Sequence, residues 1–226
     1  IKEFDGHLDG QKFTVYDVTV DNNSGLFGHL NNGSTITNLG LVGAKNNTTN
    51  PPDGYIGLLA GHAQGAIITN CYAIGEINTD AAVMGGLVGL ANANTAITGC
   101  MTSGKVVNTS ADAAALTGGM AGSADTATVT GCLSTAYVLG DGVVGGIVGE
   151  AVNSASITNC TFAGMAMDTA LAGGATAPAI TTIGNIAGSI IDGYTTDEPP
   201  IAIITASITN CKYDKQITLV RDTNAA

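Results

Sequence analysis

The 226-residue chain has no tryptophan and one arginine, Arg221. Aromatic residues make up only 4% of it. Seven Lys+Arg stand against eighteen Asp+Glu, for a net charge of −11. With no basic patch to neutralise phosphates, nucleic acid is excluded as a partner. Charged residues are sparse, at 11%, and the acidic balance suits a soluble, extracellular protein. No run of 18 apolar residues occurs, so no membrane-inserted helix is expected. No segment keeps an apolar stripe at i, i+3, i+4, i+7 for three turns, which nearly excludes helices; Ala111 to Leu116 is the one candidate, for about one turn. The chain opens on Ile1 with no signal peptide and reads as a mature or truncated piece of a longer chain. The five cysteines are spaced 29, 32, 28 and 51 apart with no CxxC, so zinc-site spacing is absent. Nothing rises to a catalytic, metal-binding or cofactor-binding signature.

Glycine is abundant instead, at 32 residues, about twice its average usage. Apolar content is 45%, supplied mainly by Ile, Val, Leu and Ala and cut up by Gly and Asn. That mixture points to stacked short strands. It is also periodic. A strand-like run ending in an apolar residue, any residue and Gly recurs at Leu26-Phe27-Gly28, Leu59-Ala60-Gly61, Leu87-Val88-Gly89, Met120-Ala121-Gly122, Ile147-Val148-Gly149 and Ile186-Ala187-Gly188. The closing glycines are 33, 28, 33, 27 and 39 apart. Most copies carry further glycines just before, as at Gly85-Gly86 and Gly118-Gly119.

A second element follows each run. It reads Ile36-Thr37-Asn38-Leu39, Ile68-Thr69-Asn70-Cys71, Ile97-Thr98-Gly99-Cys100, Val129-Thr130-Gly131-Cys132, Ile157-Thr158-Asn159-Cys160 and Ile208-Thr209-Asn210-Cys211. A period near 30 residues indicates a solenoid. The third position, Asn38, Asn70, Gly99, Gly131, Asn159 or Asn210, is only ever Asn or Gly. Those residues share a tolerance of positive φ, so each coil is expected to bend there through one left-handed residue. Ile/Val then points in, Thr out, and Cys or Leu39 in again.

The expected fold is all-β: a parallel β-helix of about six coils, with two or three strands per coil and variable corner loops. Right-handedness follows from the handedness of parallel crossovers. A propeller would need four antiparallel strands per blade, which these coils cannot supply. Residues 1–24 read as N-terminal capping strands, 25–213 as the solenoid, and 214–226 as a final strand with a frayed tail. Loops of unequal length gather at one corner, as at Lys45 to Gly54 and Asn108 to Ala115.

The Gly-Leu-Val-Gly core, followed by Ile-Thr-Asn-Cys and a Gly-bearing strand, resembles the GLUG motif. Gly25-Leu26-Phe27-Gly28 and Gly86-Leu87-Val88-Gly89 match it literally; the other copies depart from it. The resemblance implies a tandem repeat module of secreted or surface proteins of bacteria, among them adhesin-like proteins and some IgA-directed peptidases. It transfers no catalytic residue.

Five features are candidate sites. Cys71, Cys100, Cys132, Cys160 and Cys211 form a ladder that could carry disulfides or bind metal. Small inward-facing thiols acting as core filler fit better, because Leu39 fills the same place in the first copy. His29 and His62 both follow a motif glycine and should stack on adjacent coils, without a nearby third metal ligand; His7 should be exposed. Thr37, Thr69, Thr98, Thr130, Thr158 and Thr209 form an outward row, partly doubled by Thr35, Thr128, Ser156 and Ser207. Such a row could order water as an ice-binding face does, or it could simply be β-branched residues suited to an exposed strand. Acids are spread along the chain, the densest groups being Asp5/Asp9, Asp17/Asp21 and Asp197-Glu198. Sequons begin at Asn22, Asn32, Asn46, Asn47 and Asn108 and reflect composition rather than glycosylation.

The expected function is therefore a non-catalytic module, located outside the cell on a bacterial surface or secreted. It would act as an adhesin segment or as a spacer. Its partner would be a glycan or a surface protein of host or bacterium, contacted by the loops Lys45 to Gly54, Met167 to Thr182 and Asp192 to Pro200. A carbohydrate-active enzyme on the same scaffold, marked by paired carboxylates or a carboxylate beside a Lys, is the alternative from another class.

Overall fold

The structure is a computed structural model that describes residues 1–20, 24–51, 53–168, 182–191, 206–213 and 219–220. Among these residues there is no helix. Short strands stack coil upon coil into four parallel sheets. Among the described residues, sheets I and II have seven strands each, sheet III eleven and sheet IV five. The coil that contains Cys100 contributes Val88–Asn92 to sheet I, Ala96–Thr98 to sheet II, Met101–Asn108 to sheet III and Leu116–Gly118 to sheet IV. The chain is thus a parallel β-solenoid.

A full coil has four sides, one in each sheet, and not two or three strands; in the coils that start at Ala121 and Val148 the sheet III side is split into two strands. The apolar run that reads as one strand ending in the motif glycine is two strands with a bend between them. Val83–Gly85 closes sheet IV, Gly86 and Leu87 turn, and Val88–Asn92 opens sheet I. Glycine is needed at this corner because sheets IV and I approach very closely. A Cβ on Gly118 would lie 1.8 Å from the Ala121 oxygen, and one on Gly122 would lie 2.6 Å from a Val83 methyl and 2.7 Å from the Met84 nitrogen.

Residues 1–20 are built as a further coil. Glu3 pairs with His29 in sheet I, Leu8 with Ile36 in sheet II and Val15 with Leu41 in sheet III. The Phe4 ring packs on Phe27, with centroids 5.0 Å apart, at this end of the core. At the other end Leu219–Val220 pairs with Met165–Ala166; residues 214–218 and 221–226 lie outside the described residues.

The core is a set of vertical ladders, since every coil repeats the same inward positions. Ile36, Ile68, Ile97, Val129 and Ile157 form one, and Leu59, Leu87, Met120 and Ile147 another, all fully or almost fully buried. Ala63, Ala91, Ala124 and Ala151 line the inner face of sheet I. Stacking neighbours is the means by which a repeat too small to enclose a core alone buries its apolar face.

Unequal loops lie between sheets III and IV, at 47–54 and 109–115. Within Ala111 to Leu116, Ala113 and Ala114 form a turn and Leu116 opens a sheet IV strand, so no helical turn forms there. Two sequon asparagines at this corner are structural. Asn108 is 1% exposed; its amide donates to the Ala81 oxygen (2.9 Å) and the Thr117 hydroxyl (3.1 Å), and its oxygen accepts from Ser110 N and Ala81 N. Asn46 is fully buried and accepts from Thr48 N. Neither side chain is presented to solvent.

Candidate functional site

The bend before the cysteine ladder carries a left-handed residue in every copy. Asn38, Asn70, Asn159 and Asn210 have φ of 53° or 54°, and Gly99 and Gly131 have 62°. Asn tolerates this region better than other residues with a Cβ, and glycine pays no steric cost there. The bend turns sheet II into sheet III and sets the facing of both neighbours. In the first five copies the aliphatic residue two places before it is buried and the Leu39 or cysteine after it points into the core; in the last copy Ile208 is 36% exposed.

Cys71, Cys100, Cys132 and Cys160 are all 2% exposed or less, and Cys211 is half-buried; all five are free. Each thiol lies 3.4–3.5 Å from the carbonyl oxygen of the Thr two residues earlier. Cys100 N also approaches Cys132 Sγ at 3.4 Å, and Cys160 N approaches Cys211 Sγ at the same distance. Hydrogen bonding between neighbouring thiols splits the ladder: bonding to Cys132, first, pushes the Cys100 and Cys160 thiols above their ordinary range, and bonding from Cys100, first, holds Cys71 and Cys132 below it. Among the described residues, no group of three or more His, Cys, Asp or Glu is placed to hold a metal.

Thr37, Thr69, Thr98, Thr130, Thr158 and Thr209 fall in one register row on the outer face of sheet II. The row begins with Asp9 in the first coil. Asp9 accepts from the Asn38 amide and from Gln11 N, which hold its carboxyl below the usual range. Thr130 and Thr158 share a 3.0 Å hydroxyl–hydroxyl bond. The companion row runs His7, Thr35, Ile67, Ala96, Thr128, Ser156, Ser207, with Ile67 47% exposed. His7 is exposed and bonds Thr35 Oγ1 at 2.9 Å.

His29 and His62 are register partners on sheet I, with ring centroids 4.2 Å apart. The Tyr55 ring, from sheet IV, meets His62 edge-on at 5.4 Å across the concave glycine corner. His62 Nε2 bonds Asn92 Oδ1 at 3.0 Å. Leu90, Ser123 and Glu150 continue this row. Burial, then the nearby Asp125 carboxylate, raises the Glu150 carboxyl.

The charged groups that sequence reasoning did not single out lie on sheet III. Lys45, Glu76 and Lys105 occupy one register row on three successive coils. They line a shallow groove of about 290 Å³ with Ile74, Gly75 and Gly104. Their spacing hides this row. Glu76 and Lys105 are five residues past Cys71 and Cys100, but Lys45 is six past Leu39. The extra residue is taken up where the pairing shifts, between Ile74 and Gly75. Of the acid groups noted in the sequence, Asp21 and Asp197-Glu198 lie outside the described residues, as do most of Met167 to Thr182 and all of Asp192 to Pro200.

The comparisons agree with this architecture. The GLUG motif model matches at residues 53–78 and 140–166, so the chain carries GLUG motifs. Each match includes the strand after the bend in a coil of the solenoid. Among solved structures, the fold is similar to that of a Bacteroides ovatus chain named a "putative immunoglobulin A1 protease", with a TM-score of 0.66 and 21% identity. The likeness covers 95% of this chain and 61% of that one, so this chain spans about three-fifths of its length. At that identity the likeness is one of fold. No curated protein matches the sequence.

Proposed function

We propose that this chain is a non-catalytic module of a longer protein held on a bacterial surface or secreted. It serves as an adhesin segment or spacer and presents loops and sheet faces to a glycan or a protein. The observation that carries the reading is the placement of variation. Paired strands repeat in parallel register coil after coil, while the unequal loops, 47–54 and 109–115, lie together between sheets III and IV. A stiff stack with variable segments along one edge suits display.

A specific observation favours a second reading. Glu76 stands between Lys45 and Lys105 in an open groove, and a carboxylate beside a lysine is a pairing that polysaccharide-cleaving chemistry uses. The neighbour's name raises proteolysis as an activity of some longer relative, but a likeness of fold does not carry an activity. One paired experiment separates these readings: a glycan array with the purified chain beside a polysaccharide degradation screen. Specific binding without turnover supports the module. Turnover sinks it in favour of an enzyme.

A further inference from the structure

Lys45 and Lys105 are the only Lys or Arg between Phe13 and Cys211, in a chain of net charge −11. Both stand exposed on the outer face of sheet III, in one row, with Glu76 between them. Adjacent rungs are about 4.8 Å apart, so the two lysines are about 10 Å apart along the solenoid axis. They flank the same groove. The groove follows from irregular backbone: the register shifts between Ile74 and Gly75, and Gly104 has φ 104°. A Cβ on Gly104 would lie 2.0 Å from the Gly75 oxygen, so the floor must stay bare there.

An alternating charge ladder can exist simply to stabilise a sheet. In that case the charged ends would close on one another. Among the described residues, neither a hydrogen bond nor an ion pair engages the side-chain ends of Lys45, Glu76 or Lys105. They remain available above a partly apolar floor.

We propose that this groove binds an extended acidic polysaccharide, a uronate-bearing glycan lying along the solenoid axis. The proposal rests on the glycan-binding form of the function above. Carboxylates of the glycan meet Lys45 and Lys105, Glu76 accepts from a sugar hydroxyl, and sugar faces rest on Ile74 and on Tyr137, the next residue in the row. Charge selects the ligand class. Away from its two ends this acidic chain offers a polyanion lysines only at this groove, where Lys45 and Lys105 stand with Glu76 between them and the Asp17 carboxylate against Gly43 at the edge. Geometry disfavours a peptide. The groove lies on the face of a sheet whose backbone groups already pair with neighbouring coils, so no strand can be added there.

The test measures binding of polygalacturonate, its fully methyl-esterified form and poly-glutamate, by titration calorimetry, to the intact chain and two variants. Polygalacturonate should bind, and more weakly as salt rises. The double variant K45Q/K105Q should bind it at least about tenfold more weakly with an unchanged melting temperature, since charge-assisted contacts are lost from exposed positions. Glu76→Gln should bind it more tightly. The proposal is overturned if the intact chain does not bind polygalacturonate, if the double variant binds as tightly as the parent, or if the esterified chain or poly-glutamate binds equally well. If an array glycan binds parent and double variant alike, this site falls while the module reading stands. Turnover of polygalacturonate that K45Q/K105Q abolishes keeps the site and sinks the non-catalytic reading.

Discussion

His29 and His62, one coil apart, stack with ring centroids 4.2 Å apart, and His29 Nε2 is buried without a hydrogen-bond partner. Burial, first, and the neighbouring His29 lower the His62 pKa from its usual 6.5; the Asn92 bond and Asp53 oppose this without cancelling it. Below pH 6.5 the unfolded chain therefore takes up a proton that the folded chain resists. This part of the stability is full above 6.5 and is lost as pH falls from there through the lower folded value. Urea unfolding on the two sides of pH 6.5 should show the loss. His62→Leu should flatten it, because Leu90 already occupies this row in the next coil. An unchanged slope in the variant would assign the effect to other groups.

Gly131 has φ 62°, and a Cβ there would meet nothing within 4 Å. Gly131→Asn should therefore be tolerated within about 0.5 kcal/mol, as Asn159 is in the next coil. Gly131→Val should cost about 1–2 kcal/mol, because a β-branched residue resists the left-handed region. Denaturant midpoints of the two variants give the comparison, and equal midpoints would refute the role assigned to the bend.

Gly118 has the opposite problem, a lack of space. Its substituent would strike the Ala121 oxygen, and backbone cannot step aside as a side chain can. Gly118→Ala should cost more than about 2 kcal/mol, well above the cost of Gly131→Val. Thermal melts of the two variants side by side test the ranking.

The thiol ladder should be inert. Four cysteines are buried and the half-buried Cys211 sits on the last described rung. In the folded chain a thiol reagent should modify Cys211 and leave the other four until denaturant is added. Rapid modification of all five would contradict the packing described. Cys100→Ala should cost about 1 kcal/mol, in keeping with a small buried side chain.

Asn108 closes the corner between sheets III and IV through four hydrogen bonds. Asn108→Ala leaves those partners unsatisfied in a buried place and should cost about 2–3 kcal/mol. A glycosylating host should also leave this sequon unmodified in the folded protein, which intact mass would show.

Much of the fold was legible from local chemistry. The Asn/Gly alternation marked the bend because positive φ is a property of the residue itself, and residues such as Asn70 and Gly99 share little else. The inward ladder of Ile68, Ile97 and Val129 was legible because a period near 30 repeats each facing. The Gly-Gly corner reads as strand in the sequence, because glycine there answers to a contact with the following strand and the next coil. Nothing in the run Val83 to Gly89 announces where that neighbour lies.

The sequence by itself determined that this protein is a repeat of short parallel strands, where each coil bends, and which faces are buried. These depend on backbone preference and on the periodicity of apolar residues, both readable along one chain. Tertiary structure alone decided the four-sided coil, the structural use of Asn46 and Asn108, and the meeting of Lys45, Glu76 and Lys105. The last turns on one extra residue. A shift in the pairing beside Gly75 moves Lys45 into a row that counting from the bend would not assign to it. Register between coils, not position within the repeat, brings those charges together.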